Sequence, residues 1–157
     1  MPTAERERQL VVFSLHGEHY GLPIASVREI IRYVLPSATA TASGLIQGMI
    51  SLRGRTLPVL DLSSRLGREL ETGPDTRILV LEAKDSALGL IVDRVDGIEA
   101  VPVEEIEPLP AAADRGLGDE IAAVGDRVIM LIDVERAFGE ILPRRAAPRR
   151  RRTSSES

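Results

Sequence analysis

LVVFSLHGEHYGLPIASVREI, residues 10–30, has a counterpart in ILVLEAKDSALGLIVDRVDGI, residues 78–98, at a constant offset of 68. Both stretches carry Gly-Leu-x-Ile/Val-x-x-Val-x-x-Ile: Gly21, Leu22, Ile24, Val27 and Ile30 in one, Gly89, Leu90, Val92, Val95 and Ile98 in the other. The correspondence continues downstream, where Gly54 matches Gly125 at an offset of 71, and Asp61 matches Asp133 and Gly67 matches Gly139 at 72. A drift that small needs only a few inserted residues. Self-similarity in this order marks a duplication, with module one at about 10–67 and module two at about 78–139, joined through the Gly-Pro stretch ETGPDT.

Each module reads mainly as strand. Leu10–Leu15 and Ile78–Leu81 are aliphatic and β-branched runs, and HGEH and AKDS after them read as hairpin turns leading to a second strand. Ile24, Val27, Ile30 and Ile31 fall at helical spacing and predict a helical turn there, whereas Gly97 opposes a long helix in the other copy. Ile46–Leu52 and Thr56–Leu62 flank Arg53-Gly54-Arg55, a hairpin in which Gly54 supplies a positive φ. Pro58 donates no hydrogen bond, which predicts a free edge or a bulge beside it. Asp61 before LSSRLG and Asp133 before VERAFG are each placed to cap a short helical turn that ends on glycine. Segment 102–120, rich in Pro, Glu and Ala, is expected to be a loop with a short helical stretch. Many short strands, glycine turns and almost no long helix predict an all-β fold of two small barrels packed together.

Composition narrows the function. The 157-residue chain is 43% hydrophobic, enough to bury a core, and it has no apolar run near the length of a membrane span and no signal-peptide core at its start. A cytoplasmic protein is expected. There is no cysteine, which excludes disulfides, thiolate metal sites and a Cys nucleophile. The net charge of −4 divides into +5 over residues 144–157, which hold six Arg and one Glu, and −9 over residues 1–143. A body that acidic repels nucleic acid, so only the tail, expected to be disordered over 143–157, suits phosphate or a membrane surface. Residues 1–9 are expected to be a flexible N-terminus. His16 and His19 in HGEH lack an evident third ligand and read as turn residues, not as a metal pair. No GxSxG, HExxH, P-loop or GxGxxG pattern is present, and the carboxylates are scattered, so no enzyme, cofactor or metal is expected.

The whole of residues 9–142 resembles the CheW family of chemotaxis coupling proteins. The carriers are LVVFSLHGEHYGLPIASVREII, IQGMISLRGRTLPVLDL, LGLIVDRVDGI and VGDRVIMLIDVERAF, in that order. The second is the most specific, pairing Ile-x-Gly-x-x-x-x-Arg-Gly with Pro-x-x-Asp-Leu. Ser43 and Ser51 stand where family members often carry Pro and Asn, while the Arg-Gly and Asp-Leu elements are intact. The Arg-rich tail lies outside the family pattern. The resemblance implies two SH3-like five-stranded β-barrels on a shared hydrophobic core. It also implies a non-catalytic adaptor, recruited to receptor arrays at the inner face of the membrane. There it couples chemoreceptor cytoplasmic tips to the regulatory domain of a CheA-type histidine kinase, with further CheW-like proteins as neighbours in the array. Positions matching the family's receptor contact are Val27, Glu29, Gly48 and Arg53; the kinase contact is expected near Ile78 and Leu79. Two other pathways remain open at this level: an adaptor of surface motility or another kinase system, and a nucleic-acid or membrane-surface module acting through the tail.

The residues themselves leave each role divided. Arg53 presents a planar fork of five donors, fit to grip a partner's carboxylates or carbonyls, and equally fit to be solvated or to hold Glu29 within the chain. Gly48 is read as a backbone position, allowing close approach or a bulge. Val27 has Val95 as its counterpart, so core and contact roles compete. Of Ile78 and Leu79, in an alternating run, one is expected to face the core and the other an apolar interface patch.

Overall fold

The computed structural model describes residues 6–38, 45–63, 65–83 and 85–141. The tail, 143–157, lies outside the described residues. Among the described residues the strands are β1 (Glu7–Leu15), β2 (Glu18–Pro23), β3 (Val27–Arg32), β4 (Ile46–Leu52), β5 (Arg55–Leu60), β6 (Arg77–Ala83), β7 (Ser86–Val92), β8 (Arg94–Pro102), β9 (Ile106–Pro108), β10 (Glu120–Val124) and β11 (Arg127–Leu131), followed by one α-helix, α1 (Val134–Phe138). The chain is therefore mostly β. β1 begins at Glu7, which pairs with Pro102, so residues 7–9 belong to a strand and not to a flexible leader.

Local chemistry sets the hairpins. β1 and β2 close at Leu15 and Glu18 across His16 and Gly17, with φ of 53° and 82°. β4 and β5 close at Leu52 and Arg55 across Arg53 and Gly54, with φ of 49° and 79°. Two successive positive φ values are the signature of the two-residue type I′ turn, whose twist matches that of the flanking strands.

The strands form one sheet in the order β8-β1-β2-β11-β10-β9 and another in the order β3-β6-β7-β5-β4. One has the five strands expected and the other six, the sixth being the three-residue β9. These are the two SH3-like subdomains. The sheets do not coincide with the sequence repeats. Each takes its first hairpin from one repeat and its remaining strands from the other: β1 and β2 join β8 to β11, while β6 and β7 join β3 to β5. The exchange is reciprocal down to the register. Val59 lies opposite Gly89 in the parallel β5–β7 pair, and their counterparts Leu131 and Gly21 lie opposite each other in the parallel β11–β2 pair.

Both glycines in those ladders stand at close approaches, the tighter at Gly89. A Cβ on Gly89 would lie 2.8 Å from the Cγ2 of Ile78, and one on Gly21 would lie 3.2 Å from side-chain carbons of Ile129 and Leu10. Two of the bulges are equivalent as well. The β3–β6 register skips Arg28, and the β1–β8 register skips Asp96, 68 residues on.

Three apolar clusters follow from this arrangement. Leu10, Val12, Val101, Ala122, Ile129 and Leu131 fill the six-stranded subdomain, and Ile50, Leu57, Val59, Ile78, Val80 and Ile91 fill the five-stranded one. The third and largest joins them, with Phe13 and Tyr20 stacked at 5.6 Å between centroids and Leu60, Leu79, Leu81, Leu88 and Phe138 around them. β6 shows how one strand serves two cores, since Ile78 and Val80 point into their own subdomain and Leu79 and Leu81 into the joint. A strand covered on both faces reads as a continuous apolar run, as ILVL does.

Two local expectations change. Helical spacing at Ile24–Ile31 predicts a helical turn, but only Ile24–Ser26 is a 3-10 turn, and the rest is β3 with alternating burial. The β-branched content of VREIIR and the ladder to β6 outweigh the helical period. Segment 102–120 is more ordered than a loop: it contains 3-10 turns at Val103–Glu105 and Ala111–Ala113, with β9 between them. Pro58 pairs with Met49, the ladder from β5 to β7 covers only Val59 and Leu60, and β4 bulges between Ile46 and Gly48.

Candidate functional site

Arg53 occupies the first turn position of the β4–β5 hairpin, where the type I′ geometry holds its backbone at positive φ and projects its side chain from the sheet. β3 is an edge strand, paired on one side to β6. These two features meet: Arg53 Nη1 donates to Glu29 Oε2 on β3. The pair is lopsided, with Arg53 70% exposed at the side chain and Glu29 22%. Glu29 therefore anchors the guanidinium at the rim and leaves most of its donors facing solvent. The hydrogen bond from Arg53 holds the Glu29 carboxyl below the usual carboxylate range.

Beneath the pair lies a small cleft of about 40 Å³, bordered by Leu52, Leu57, Val80 and Ala87 with Arg28 and Arg55 at its edges. Arg28, at the β3 bulge, reaches Glu82 at 2.9 Å. The result is an apolar floor framed by arginines and fixed by carboxylates on β3 and β6. Chemically, such a surface is suited to carboxylates or backbone carbonyls, with delocalised guanidinium charge and planar donors on one side and apolar contact below. Exposed pairs of this kind add little to stability, so the residues in them are free to be spent on recognition.

Gly48 lies on β4, the first strand of the hairpin. A Cβ there would lie 2.3 Å from the backbone oxygen of Ser37, so the glycine permits the chain after β3 to cross β4. Ser37 exchanges both backbone hydrogen bonds with Met49, each 2.9 Å. Val27, at the start of β3, is half-buried and packs against the joint between the subdomains, as Val95 does. Of the four positions, then, Arg53 and Glu29 touch, Gly48 shapes the backbone of the same hairpin, and Val27 lies two residues from Glu29 with its side chain turned toward the core.

Ile78 and Leu79 need correction. Both are fully buried, and β6 lies between β3 and β7, so neither side chain forms an exposed apolar patch and the strand has no free edge. The expectation rested on one-sided alternation, whereas both faces of β6 are covered.

Asp133 caps α1, its Oδ1 accepting from the N–H of Glu135 at 3.1 Å and of Arg136 at 3.2 Å. Asp61 accepts from the N–H of Ser63 at 2.8 Å and from Gln47 Nε2 at 3.2 Å. His16 Nε2 lies 2.7 Å from Ser63 Oγ, and His19 Nδ1 lies 3.2 Å from Asp96 Oδ2. Among the described residues no three His, Asp or Glu side chains come together as a metal site.

Sequence reasoning missed Ser37 and Arg28. Nothing in the local sequence marks Ser37, because its partner Met49 is twelve residues away across an irregular crossing. Arg28 carried a signal in the repeat itself, as the counterpart of Asp96.

Comparison with known proteins agrees with this architecture. The CheW-like domain model matches residues 9–141. A Rhizobium etli protein named "Probable chemotaxis protein CheW" is 34% identical over 139 residues, covering 85% of this chain and 89% of that protein. Protein FrzA of Myxococcus xanthus is 32% identical over 135 residues, covering 83% and 84%. The crystal structure of the scaffolding protein TtCheW from Thermoanaerobacter tengcongensis superposes with a TM-score of 0.75 at 35% identity, covering 81% of this chain and 89% of that one. With paired SH3-like subdomains, the Arg-Gly hairpin and a family match across nearly all described residues, the chain belongs to the CheW-like family.

Proposed function

We propose that this chain does its work as a chemotaxis scaffold through the Arg53 hairpin, which receives the cytoplasmic tip of a chemoreceptor while another surface holds the regulatory domain of a CheA-type histidine kinase. The observation that carries this reading is the Arg53–Glu29 pair: an arginine fixed on a rigid turn, anchored at one nitrogen and otherwise open to solvent, over an apolar cleft. A scaffold needs a contact formed before its partner arrives, since ordering a long side chain on binding costs affinity. Glu29 supplies that order. Gly48 acts at second hand, by letting Ser37 lock β4. Val27 sets the position of β3 against the joint.

The kinase contact expected near Ile78 and Leu79 acts through neighbouring exposed positions, because those two side chains are enclosed. No helix among the described residues is long and apolar enough to cross a membrane, and recruitment to the inner face of the membrane follows from the receptor contact in this proposal.

The test is quantitative pull-down of the wild-type chain, Arg53→Glu and a chain ending at Pro143, against a receptor signalling tip and a kinase regulatory domain. The expected result is that Arg53→Glu loses the receptor tip by tenfold or more while keeping the kinase domain and its melting temperature. Undiminished receptor binding by Arg53→Glu sinks the hairpin reading. Loss of both partners only on removal of the tail assigns binding to the tail instead.

A further inference from the structure

The largest unexplained asymmetry on this molecule is electrical, and one cleft concentrates it. Between the subdomains lies a cleft of about 410 Å³ whose floor is apolar, formed by Leu10, Pro23 and Val134 among others. Its rim carries Asp119, Glu120, Asp133 and Glu135 against one cation, Arg8. That cation is already engaged, Arg8 Nη1 lying 2.6 Å from Glu120 Oε1. The nearby Arg136 is likewise engaged, 2.6 Å from Asp114 and 3.9 Å from Asp119, which remains 77% exposed. The acidic face runs on beyond the cleft. Glu120 pairs with Pro108 of β9, so Glu107 and the turn holding Glu104 and Glu105 continue it along the sheet edge.

The same chain carries its own complement. Six arginines lie in residues 144–157, the first of them three residues after the last described residue, Ile141. The distance is short. α1 runs from the cleft at Val134 to Phe138, and five helical residues at about 1.5 Å each span about 7.5 Å. Glu135 lines both the cleft and the neighbouring depression that includes Ile141. Extended chain covers about 3.3 Å per residue, so residues 142–145 alone exceed the length of α1. The tail's first segment, Leu-Pro-Arg-Arg-Ala-Ala-Pro, alternates small apolar groups with arginines, as an apolar floor with an acidic rim requires.

We propose that the Arg-rich segment 144–152 docks in cis on this acid-rimmed cleft between the subdomains. Bound there, the tail sets its arginines against Asp119 and Glu120 of the rim and Glu107 beyond it. Tethering places it at an effective concentration of about millimolar, so individually weak contacts suffice. The inference does not rest on the receptor reading, and the two fail separately because the cleft and the Arg53 hairpin share no residue.

A spin label tests it, because the chain has no cysteine and Thr153→Cys introduces one attachment site on the full-length protein. In low salt, the amide signals of Leu131–Glu135 and Glu107 are expected to broaden selectively. One molar salt, which shortens the screening length to about 3 Å, is expected to restore them. Adding Asp119→Lys and Glu107→Lys, both at exposed positions, is expected to reduce the broadening severalfold without changing the melting temperature. Broadening spread evenly over the surface, centred on another face, or insensitive to the two lysines overturns the proposal. So does broadening that appears only between a labelled copy and an isotope-labelled unmodified copy, which assigns the cleft to a second molecule's tail.

Discussion

Replacing Gly48 by alanine tests how the recognition hairpin is held. The added Cβ would lie 2.3 Å from the oxygen and 2.9 Å from the carbonyl carbon of Ser37, both backbone atoms that cannot rotate away. Two responses are open to the molecule. β4 and the crossing segment separate while keeping their hydrogen bonds, which as overpacking costs about 1–3 kcal/mol. Alternatively Ser37 lifts off and surrenders the two 2.9 Å bonds with Met49, at about 1 kcal/mol each. Either route costs about 2 kcal/mol. For a chain of this size that lowers the melting temperature by about 4–8 °C. With a urea m-value of about 2 kcal/mol/M, the midpoint falls by about 1 M. Thermal and urea unfolding measure the total, and hydrogen exchange separates the routes, since the Met49 amide loses protection only if Ser37 detaches. Gly54→Ala is the control: its Cβ meets nothing within 4 Å, so only the positive φ opposes it, at about 1–2 kcal/mol. A Gly48→Ala protein that melts within 1 °C of wild type and keeps Met49 protected would refute the close-approach argument.

Three further outcomes are expected. Gly89→Ala destabilises more than Gly21→Ala, because its Cβ meets the β-branched Ile78 at 2.8 Å where the counterpart has 3.2 Å; equal urea midpoints for the pair contradict the packing. Asp133→Ala costs about 1 kcal/mol through loss of the α1 cap and is checked by chemical denaturation, with Asp133→Asn retaining most of the stability. Burial raises the Asp96 carboxyl, but hydrogen bonds from Ser14, Arg94 and His19 together outweigh it, leaving the group below its usual range. Its stabilisation is then present above the unfolded carboxylate value and lost as pH falls through the lower folded value, so Asp96→Asn flattens the acid limb of a melting-temperature profile below about pH 4.

Much of the architecture was legible because it is local. Apolar alternation marks the strands, and Gly17, Gly54 and Gly125 stand in two-residue turns whose positive φ admits few other residues. The site was legible in part. Arg53 and Glu29 both stand out in the sequence, but their contact is only one of several readings it allows, because a charged residue on a turn has several available partners. For Ile78 and Leu79 the sequence misleads on exposure, because alternation tells which residues share a face and not whether the second face is covered. Ser37 gave no sign, since its role lies in where its backbone passes.

The duplication, the hairpins, the β class and the charge division between body and tail all follow from residue order, since each depends on neighbours along the chain. The exchange of strands between repeats follows only from the three-dimensional fold. Either repeat's β-strands present the same edges and periodicity to its own hairpin as to its twin's, so local chemistry does not distinguish self-pairing from exchange. The choice falls to long-range burial: in the exchanged form Leu79 and Leu81 meet Phe13 and Tyr20 in one joint, while Ile78 and Val80 still fill their own subdomain. Within the five-stranded sheet that β6 and β7 complete, the edge strand β3, with Glu29 on it, meets the hairpin that carries Arg53.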